Sequence, residues 1–422
     1  MPDRGAAHPS DPGEAAQPPR QRRRPQARAA AITTSLVLTL ALQSAVPPFA
    51  TDMYAPAFPQ VANGLSTSAG LVGFTLTAFF VGMGFGQVLG GALSDQLGRR
   101  RPILVGGLVC TLGAVGCAVA PSIGWLIVAR FFQGLGGGAA AVVARAQVVD
   151  LAVGDRLAKV MTLIMAIGGF APMLAPIIGG VVASFAPWRV VFWCLVGFGL
   201  IMTGAAFIRV PESLPPARRQ RGGLSRFGRD LVTVVRLKPF LAYLIVNCFS
   251  GAAMFAYISD SSYVLQGLGG LTPLGFSLVF ATNALVNMGL SFLNSWLVGR
   301  IKPPVLIRFG LSLGATAVVL LTISVFALGT ALIPTCLGFG LLLSGQAFIF
   351  GNSSAMALSH ARATAGTASA VMGLISSLVN SAVAPIASSG GETSAHPMVI
   401  VMLIGSAGAW ATYAWTRRLA RA

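Results

Sequence analysis

The sequence has few acidic residues and few charged residues of any kind. Of 422 residues, 11 are Asp or Glu, and charged residues make up 9% of the chain, against about 25% in an ordinary soluble domain. Segments of roughly 20 nearly uncharged residues, the length that crosses a bilayer as a helix, recur from residue 31 to the end of the chain. This composition excludes a soluble globular domain and predicts an all-α membrane protein.

Cysteine and histidine are also scarce. The five cysteines all lie inside apolar runs, at spacings that fit neither a disulfide framework nor a metal site, and we interpret them as small packing residues. The three histidines lie in the amino-terminal tail and in two connections, and no H-E-x-x-H or paired intramembrane aspartate motif occurs. We therefore expect no enzyme activity, no metal and no cofactor.

The net charge of +18 is concentrated in alternate connections. Lys and Arg cluster at residues 20–28, 99–101, 145–159 and 209–238, for example, whereas the connections between such clusters carry almost none. This alternation follows the positive-inside rule, which places the basic connections and both termini in the cytoplasm and makes the number of crossings even. The charge indicates topology, and we expect no nucleic-acid partner.

Twelve apolar runs are present, and the long polar stretch from residue 210 to residue 237 separates six of them from the other six. A six-plus-six arrangement with a basic linker is typical of a duplicated transporter. Pro47 and Pro48 predict a kink in the first helix. The predicted units are a disordered basic cytoplasmic tail (1–30), a six-helix bundle (31–209), a cytoplasmic linker (210–237), a second six-helix bundle (238–416) and a basic cytoplasmic C-terminus (417–422).

Three charged residues lie within or at the end of apolar runs, where charge is costly and indicates function. Asp52 stands in the stretch FATDMYAPAFP with no Lys or Arg nearby in sequence, and Arg130 lies inside the fourth run. Burial and a neighbouring cation change the proton affinity of a carboxylate in opposite directions, so Asp52 with Arg130 beside it is a candidate proton-coupling site. The alternative for Arg130 is that it extends to the membrane surface beside Trp125. Asp260, late in the seventh run, is a third candidate for proton coupling, and its alternative is to reach the outer surface.

The connection GALSDQLGRRRP combines an acid, a glycine and three arginines between two apolar runs. Asp95 and Arg99 stand four residues apart and can pair at a helix end, and Gly98 permits a tight turn. The stretch resembles the loop signature G-x-L-[AS]-D-x-x-G-R-[KR] of the major facilitator superfamily. The match falls at Gly91, Leu93, Ser94, Asp95, Gly98, Arg99 and Arg100. The resemblance implies a conformational latch in which Asp95 faces the start of the eleventh helix near Gly366 and Arg99 pairs with Asp150.

Two further stretches resemble motifs of the same superfamily. Leu126, Arg130, Gln133 and Gly134 are similar to its fourth-helix motif, which is associated there with proton transfer. In GGFAPMLAPIIGG, the residues Pro176, Gly179 and Gly180 match the antiporter motif, whereas alanines replace two of its glycines. Together these stretches resemble the Bcr/CflA-type drug exporters, which are drug:proton antiporters.

The resemblance implies two six-helix bundles around a central cavity, the major facilitator fold, in a monomer of the bacterial inner membrane. It also implies efflux of small amphipathic drugs, such as chloramphenicol-like antibiotics, driven by the proton gradient. We expect the substrate to contact aromatic and polar side chains of the apolar runs. The candidate binding residues are Asp52, Tyr54, Phe132, Gln133, Tyr257 and Asn283. The alternatives are a proton-coupled transporter of a sugar or other metabolite, a ligand-sensing receptor on the same scaffold, and an intramembrane enzyme.

Overall fold

A computed structural model describes residues 33–152, 154–219, 231–361, 365–391 and 393–419, and nearly all of them are helical. The predicted tail, the middle of the predicted linker and the last three residues lie outside the described residues. The α-helices are α1 (Thr34–Ser44), α2 (Val46–Asp52), α3 (Phe58–Gly64), α4 (Ala69–Leu97), α5 (Arg100–Ala118), α6 (Ile123–Leu151), α7 (Gly154–Phe185), α8 (Arg189–Arg209), α9 (Lys238–Tyr263), α10 (Pro273–Leu297), α11 (Pro303–Phe326), α12 (Leu332–Ser359), α13 (Ala365–Ala387) and α14 (His396–Leu419).

Ten helical segments of the described residues are long and apolar enough to cross a membrane. They correspond to α4, α5, α6 and α8 to α14. Two shorter apolar segments, Thr34–Ser44 and Phe170–Phe185, belong to the first segment and to α7. With these two added, the helices are consistent with the twelve predicted crossings.

The first crossing is broken twice, and the first break lies at the predicted kink. Helix α1 ends at Ser44 and α2 begins at Val46, immediately before Pro47 and Pro48, which lack the N–H that a continuing helix requires. A second break follows Asp52, where a 3₁₀ turn at Ala55–Ala57 joins α2 to α3. Asp52 is therefore the last residue of a short helix, at a break within the first apolar segment.

Glycines bring α4 and α6 into backbone contact. A Cβ at Gly86 would lie 2.8 Å from the carbonyl carbon of Leu135, and one at Gly134 would lie 2.8 Å from that of Phe79. In lipid, the hydrophobic effect does not favour helix–helix contacts over helix–lipid contacts. Small residues at a helix interface stabilise the pair by allowing the two backbones to pack closely. These two helices form the centre of the first half of the molecule.

Helices α1 to α8 pack mainly among themselves, as do α9 to α14, and the two halves meet along α4 with α13 and α7 with α10. We call the end of the molecule that bears Arg99 to Arg101 the arginine-rich end, and the opposite end the arginine-poor end. Contacts between the halves lie toward the arginine-poor end. There the Tyr263 hydroxyl donates to the Phe58 carbonyl oxygen (3.3 Å) and the Gln266 amide donates to the Pro56 carbonyl oxygen (3.1 Å). The two halves are therefore closed against each other at the arginine-poor end.

Candidate functional site

A cavity of about 520 Å³ lies between the two halves, and most of its wall is apolar. Asp52 and Pro172 line it from the first half, and α9 and α10 supply most of the opposite wall. The wall runs from Asp52 to Phe292 and Ser295, which are exposed near the end of α10 that precedes Arg300. The cavity therefore opens toward the arginine-rich end.

Asp52 lies on the cavity wall with 7% of its surface exposed. Its Oδ1 atom is 2.9 Å from the hydroxyl oxygen of Thr51, and that same hydroxyl oxygen is 2.8 Å from the Pro47 carbonyl oxygen. The Thr51 hydroxyl therefore lies within donor distance of both oxygens and has one proton to share between them. Among the described residues, Asp52 makes no ion pair.

Arg130 is fully buried, but it does not pair with Asp52. Its Nη1 atom donates to the Ala50 carbonyl oxygen (2.9 Å) and to Gln133 Oε1 (2.8 Å). The guanidinium lies over the rings of Tyr54 (4.9 Å to the centroid) and Phe79 (4.6 Å). Such cation–π contacts stabilise a desolvated cation. Arg130 thus binds the main chain at Ala50, two residues before Asp52, and lies over the ring of Tyr54, two residues after it. It does not extend to the membrane surface.

Asp260 is fully buried on α9, and it does not line the cavity that contains Asp52. Neither carboxylate oxygen has a hydrogen-bond partner among the described residues. The neighbouring residue toward the cavity, Tyr257, lies one turn earlier on the same helix. The structure therefore places Asp260 outside the lining of the cavity that contains Asp52.

The six predicted binding residues lie in three different environments. Asp52 and Tyr257 line the cavity. Three others are buried and do not line the cavity. Tyr54 and Gln133 contact Arg130, and the Asn283 amide lies 3.5 Å from the hydroxyl oxygen of the cavity residue Tyr257. Phe132 is 48% exposed on the outside of the first half, in a groove between α5 and α6. An apolar run does not show which of its faces meets lipid, so the sequence could not separate these environments.

The cavity residues that the sequence reasoning missed come mostly from α9 and α10. They are Met254, Ile258, Phe280, Ala284, Asn287, Met288, Ser291, Phe292, Ser295 and Leu343, with Pro172 of α7. The four-residue spacing of the α10 members was the available signal, because residues four apart share one face of a helix.

The predicted latch residues form a charge network at the arginine-rich end. Arg99 Nη1 lies 2.6 Å from Asp95 Oδ1, and Arg99 Nε lies 2.8 Å from Asp150 Oδ2. Burial alone would lower the pKa of the Arg99 guanidinium, but the hydrogen bonds and charges of Asp150 and Asp95 outweigh burial and raise it. Gly98 has φ +93°, a conformation that favours glycine. Gly91 has open space around it, and the side-chain environment of Gly366 lies outside the described residues.

Glu212, which the sequence reasoning left without a role, joins this network. Its carboxylate accepts hydrogen bonds from the backbone N–H groups of Arg99 (2.8 Å) and Arg100 (3.4 Å), where α5 begins. A carboxylate at a helix amino end satisfies free donors and complements the helix dipole. Arg219 Nη2 lies 3.8 Å from Glu212, so the chain after α8 is tied back to the start of α5.

The glycines of the predicted antiporter motif lie where three segments meet. A Cβ at Gly179 would lie 2.7 Å from the carbonyl carbon of Met53, the residue after Asp52. A Cβ at Gly180 would lie 2.6 Å from Ser277 Cβ on α10, in the other half. Pro176 lies inside α7 one turn earlier. The motif therefore allows α7 to touch both the break after Asp52 and the opposite half.

Comparison with known proteins identifies a family. The family model described as Major Facilitator Superfamily matches residues 40–387. The chain is 32% identical over 374 residues to an uncharacterised MFS-type transporter, YdgK, of Bacillus subtilis, covering 88% of this chain and 92% of the relative. It is 31% identical over 370 residues to the bicyclomycin resistance protein homolog of Haemophilus influenzae, covering 88% and 93% of the two chains. The multidrug resistance protein MdtL of a Shewanella species is 30% identical over 328 residues, covering 78% and 82%.

Solved structures share the fold at low sequence identity. The crystal structure of a D-xylose–proton symporter has a TM-score of 0.71 at 16% identity, covering 90% of this chain and 96% of the other. A bacterial homolog of the lysosomal transporter Spinster, in an inward-facing conformation, has a TM-score of 0.69 at 15% identity, covering 91% and 96%. At these identities the likeness concerns the fold alone.

Proposed function

Because the chain belongs to the Major Facilitator Superfamily, we propose that it exports small amphipathic drugs in exchange for protons, with Asp52 as the residue that couples the two movements. One observation carries the proposal. Asp52 is a carboxylate at a helix break, on the wall of the cavity between the halves, without an ion-pair partner among the described residues. Discontinuous membrane helices are typical of substrate and ion sites in transporters.

The orientation of the cavity follows from the charge distribution. By the positive-inside rule, the arginine-rich end and both termini face the cytoplasm of a bacterial inner membrane. The cavity then opens to the cytoplasm, where a drug to be exported is loaded. Opening the other side requires breaking the contacts of Tyr263 with Phe58 and of Gln266 with Pro56. We assign the network of Arg99, Asp95 and Asp150 as the latch that engages α13 when the cytoplasmic side closes.

The coupling follows from the cost of an unpaired charge. An ionised carboxylate on an apolar wall is unfavourable unless a partner compensates it. Either a proton or the substrate must therefore occupy the Asp52 position, and the arrival of one favours the departure of the other. A single chain encloses the cavity, so a monomer suffices, and the proton gradient drives the cycle without a cofactor.

The choice of a drug rests on two relatives and on the cavity wall. The relatives are named for resistance to bicyclomycin and to multiple drugs. The wall of this cavity is mainly aliphatic, aromatic and Met side chains, which suits amphipathic compounds such as chloramphenicol. A sugar needs hydrogen-bonding groups on all sides, and the few polar residues of this wall do not provide them.

The test is accumulation of chloramphenicol in everted membrane vesicles with and without a proton gradient. We expect the wild type to accumulate the drug only with the gradient, and Asp52→Asn to lose at least about tenfold in gradient-driven rate, a factor typical of a group that makes or breaks the key interaction. Asp260→Asn is the matched control, because it makes the same acid-to-amide change outside the cavity. Full gradient-driven transport by Asp52→Asn would contradict the proposal.

A second measurement isolates the exchange itself. Chloramphenicol added to purified wild-type protein in weak buffer is expected to release protons, and Asp52→Asn is expected to release none. Equal proton release from both proteins would show that another group couples the two movements.

A further inference from the structure

Helix α10 presents two parallel rows of side chains to the cavity. The apolar row contains Phe280, Ala284, Met288 and Phe292, and the polar row contains Asn287, Ser291 and Ser295. Residues four apart lie above one another on a helix, and each four-residue step advances about 6 Å along the axis. The two rows therefore run side by side from the level of Tyr257 to the arginine-rich end.

The two serines of the polar row have free hydroxyls. In the described parts of the chain, neither Ser291 nor Ser295 has a hydrogen-bond partner. Other hydroxyls of the same helix are satisfied locally, since Ser277 donates to the Pro273 carbonyl oxygen and Thr282 donates to the Leu278 carbonyl oxygen, both at 2.8 Å. The free hydroxyls thus stand on the face that lines the cavity.

Asn287 completes the row with an acceptor that has no partner among the described residues. Its amide nitrogen donates to the Leu343 carbonyl oxygen (2.6 Å), which fixes the orientation of the side chain. Its carbonyl oxygen is then held away from that contact. The row offers one amide oxygen and two hydroxyls along about 12 Å of helix.

We propose that the polar row of α10 selects the substrate. The preferred substrate is an elongated amphipathic molecule with hydroxyl or amide groups along one edge. Those groups bind Asn287, Ser291 and Ser295, its apolar face lies on Met288 and Phe292, and one end reaches the Asp52 position. This inference rests on the proposed function, because it takes the cavity as the substrate site.

The selection has a physical cause in hydrogen bonding. Each matched hydrogen bond changes affinity by roughly two- to tenfold. A purely apolar compound gains nothing from the serines. Removing the hydroxyls therefore weakens compounds with hydrogen-bonding groups and leaves apolar ones nearly unchanged.

The experiment is equilibrium binding to purified full-length protein in lipid nanodiscs, with two probes. Chloramphenicol carries hydroxyl and amide groups, and tetraphenylphosphonium carries no hydrogen-bonding group. In the variant Ser291→Ala/Ser295→Ala, chloramphenicol affinity is expected to fall about tenfold and tetraphenylphosphonium affinity to change less than about twofold. The control Thr282→Ala removes an exposed hydroxyl from the same helix and is expected to change neither affinity.

Three outcomes overturn the inference: equal changes for both probes, no change for chloramphenicol, or no binding of either probe to the wild type. If the double variant does not fold, the two single variants replace it, each with an expected loss of about threefold for chloramphenicol. Failure of the proposed antiport is separate. Selective binding in nanodiscs without proton-driven transport in vesicles would reject antiport and leave the role of the polar row standing.

Discussion

At the scale of single residues, Arg130 explains how the main chain around Asp52 is held. Its guanidinium binds the Ala50 carbonyl oxygen on one side of Asp52 and lies over the Tyr54 ring on the other. Both neighbours belong to the segment where the first helix breaks twice. The sequence reasoning expected Arg130 to act on the Asp52 charge directly, whereas the contacts make it a positioning residue that fixes the backbone on either side.

Replacing Arg130 by Lys tests this positioning role. Lysine keeps the charge but lacks the planar fork that hydrogen bonds and stacks at once. We expect Arg130→Lys to lower the free energy of unfolding by about 2 kcal/mol and to slow transport, while the pH at which transport is half-maximal stays that of the wild type. The measurements are thermal unfolding and a pH profile of vesicle transport, with Arg308→Lys, an exposed arginine of α11, as the control. A displaced pH profile would make Arg130 part of the proton path.

Asp260 poses a different question, because it is buried without a partner among the described residues and away from the cavity. An ionised carboxylate in that position would carry a large uncompensated cost. Asparagine has nearly the same shape without that charge. We expect Asp260→Asn to keep gradient-driven transport within about twofold of the wild type and its thermal stability unchanged or higher. A loss of transport as complete as that of Asp52→Asn, measured in the same vesicles, would restore Asp260 to the coupling site.

At the scale of elements, α7 joins the break after Asp52 to the opposite half. Gly179 faces the main chain of Met53, and Gly180 faces Ser277 and the Pro273 carbonyl oxygen, which lies 2.9 Å from the Cβ that Gly180 would carry. Rotation of the serine side chain moves its hydroxyl but leaves its Cβ, 2.6 Å away, and the carbonyl oxygen in place. Neither glycine should therefore tolerate a methyl group.

Alanine substitutions in α7 and α8 test that expectation. We expect Gly179→Ala and Gly180→Ala each to abolish transport and to lower the free energy of unfolding by about 2 kcal/mol, because overpacking typically costs about 1–3 kcal/mol. Gly197→Ala is the control, since nothing lies within 4 Å of the Cβ it would add. Transport rate and melting temperature are compared across the three variants. Equal behaviour of Gly179→Ala and Gly197→Ala would refute the close contact with Met53.

The elements also show what could be predicted from the sequence. The kink at Pro47 and Pro48 and the ion pair of Asp95 with Arg99 follow from local chemistry, which the sequence displays. The four-residue spacing of α10 could have predicted its two rows, but serine in a membrane helix usually indicates close helix packing. Phe132 shows what could not be predicted, because an aromatic side chain is equally favourable against lipid and in a cavity wall.

At the scale of the whole molecule, hydropathy and charge alternation suffice to predict two groups of membrane helices. They do not predict which ends of the halves touch, because that depends on the conformational state. In this structure the contact between α4 and α13 includes Gly73, whose Cβ would lie 3.0 Å from the Ala384 carbonyl oxygen, with Ser388 packed beside it. Alternating access requires this contact to open.

A disulfide between the halves tests that requirement. In a background without the five native cysteines, Gly73→Cys/Ser388→Cys is expected to form a disulfide on oxidation, because a Cβ built at Gly73 would lie directly against the Ser388 side chain. Oxidation should then stop most transport, and a reductant should restore it. The control pair Asn247→Cys/Ser354→Cys joins residues of one half, 3.1 Å apart between side-chain atoms, and is expected to leave transport unaffected. Full transport by the oxidised Gly73/Ser388 pair would contradict alternating access at this contact.

Helix α4 has glycines on two faces that answer to different demands. Gly86 and Gly90 meet α6 within the same half, whereas Gly73 and Gly84 meet α13 in the other. A systematic map of substitutions along α4 should therefore show two alternating signatures. Larger residues on the first face would reduce cellular abundance, and on the second they would leave abundance intact and change turnover. Within one helix, substitutions that impair folding could then be distinguished by position from substitutions that impair the conformational change.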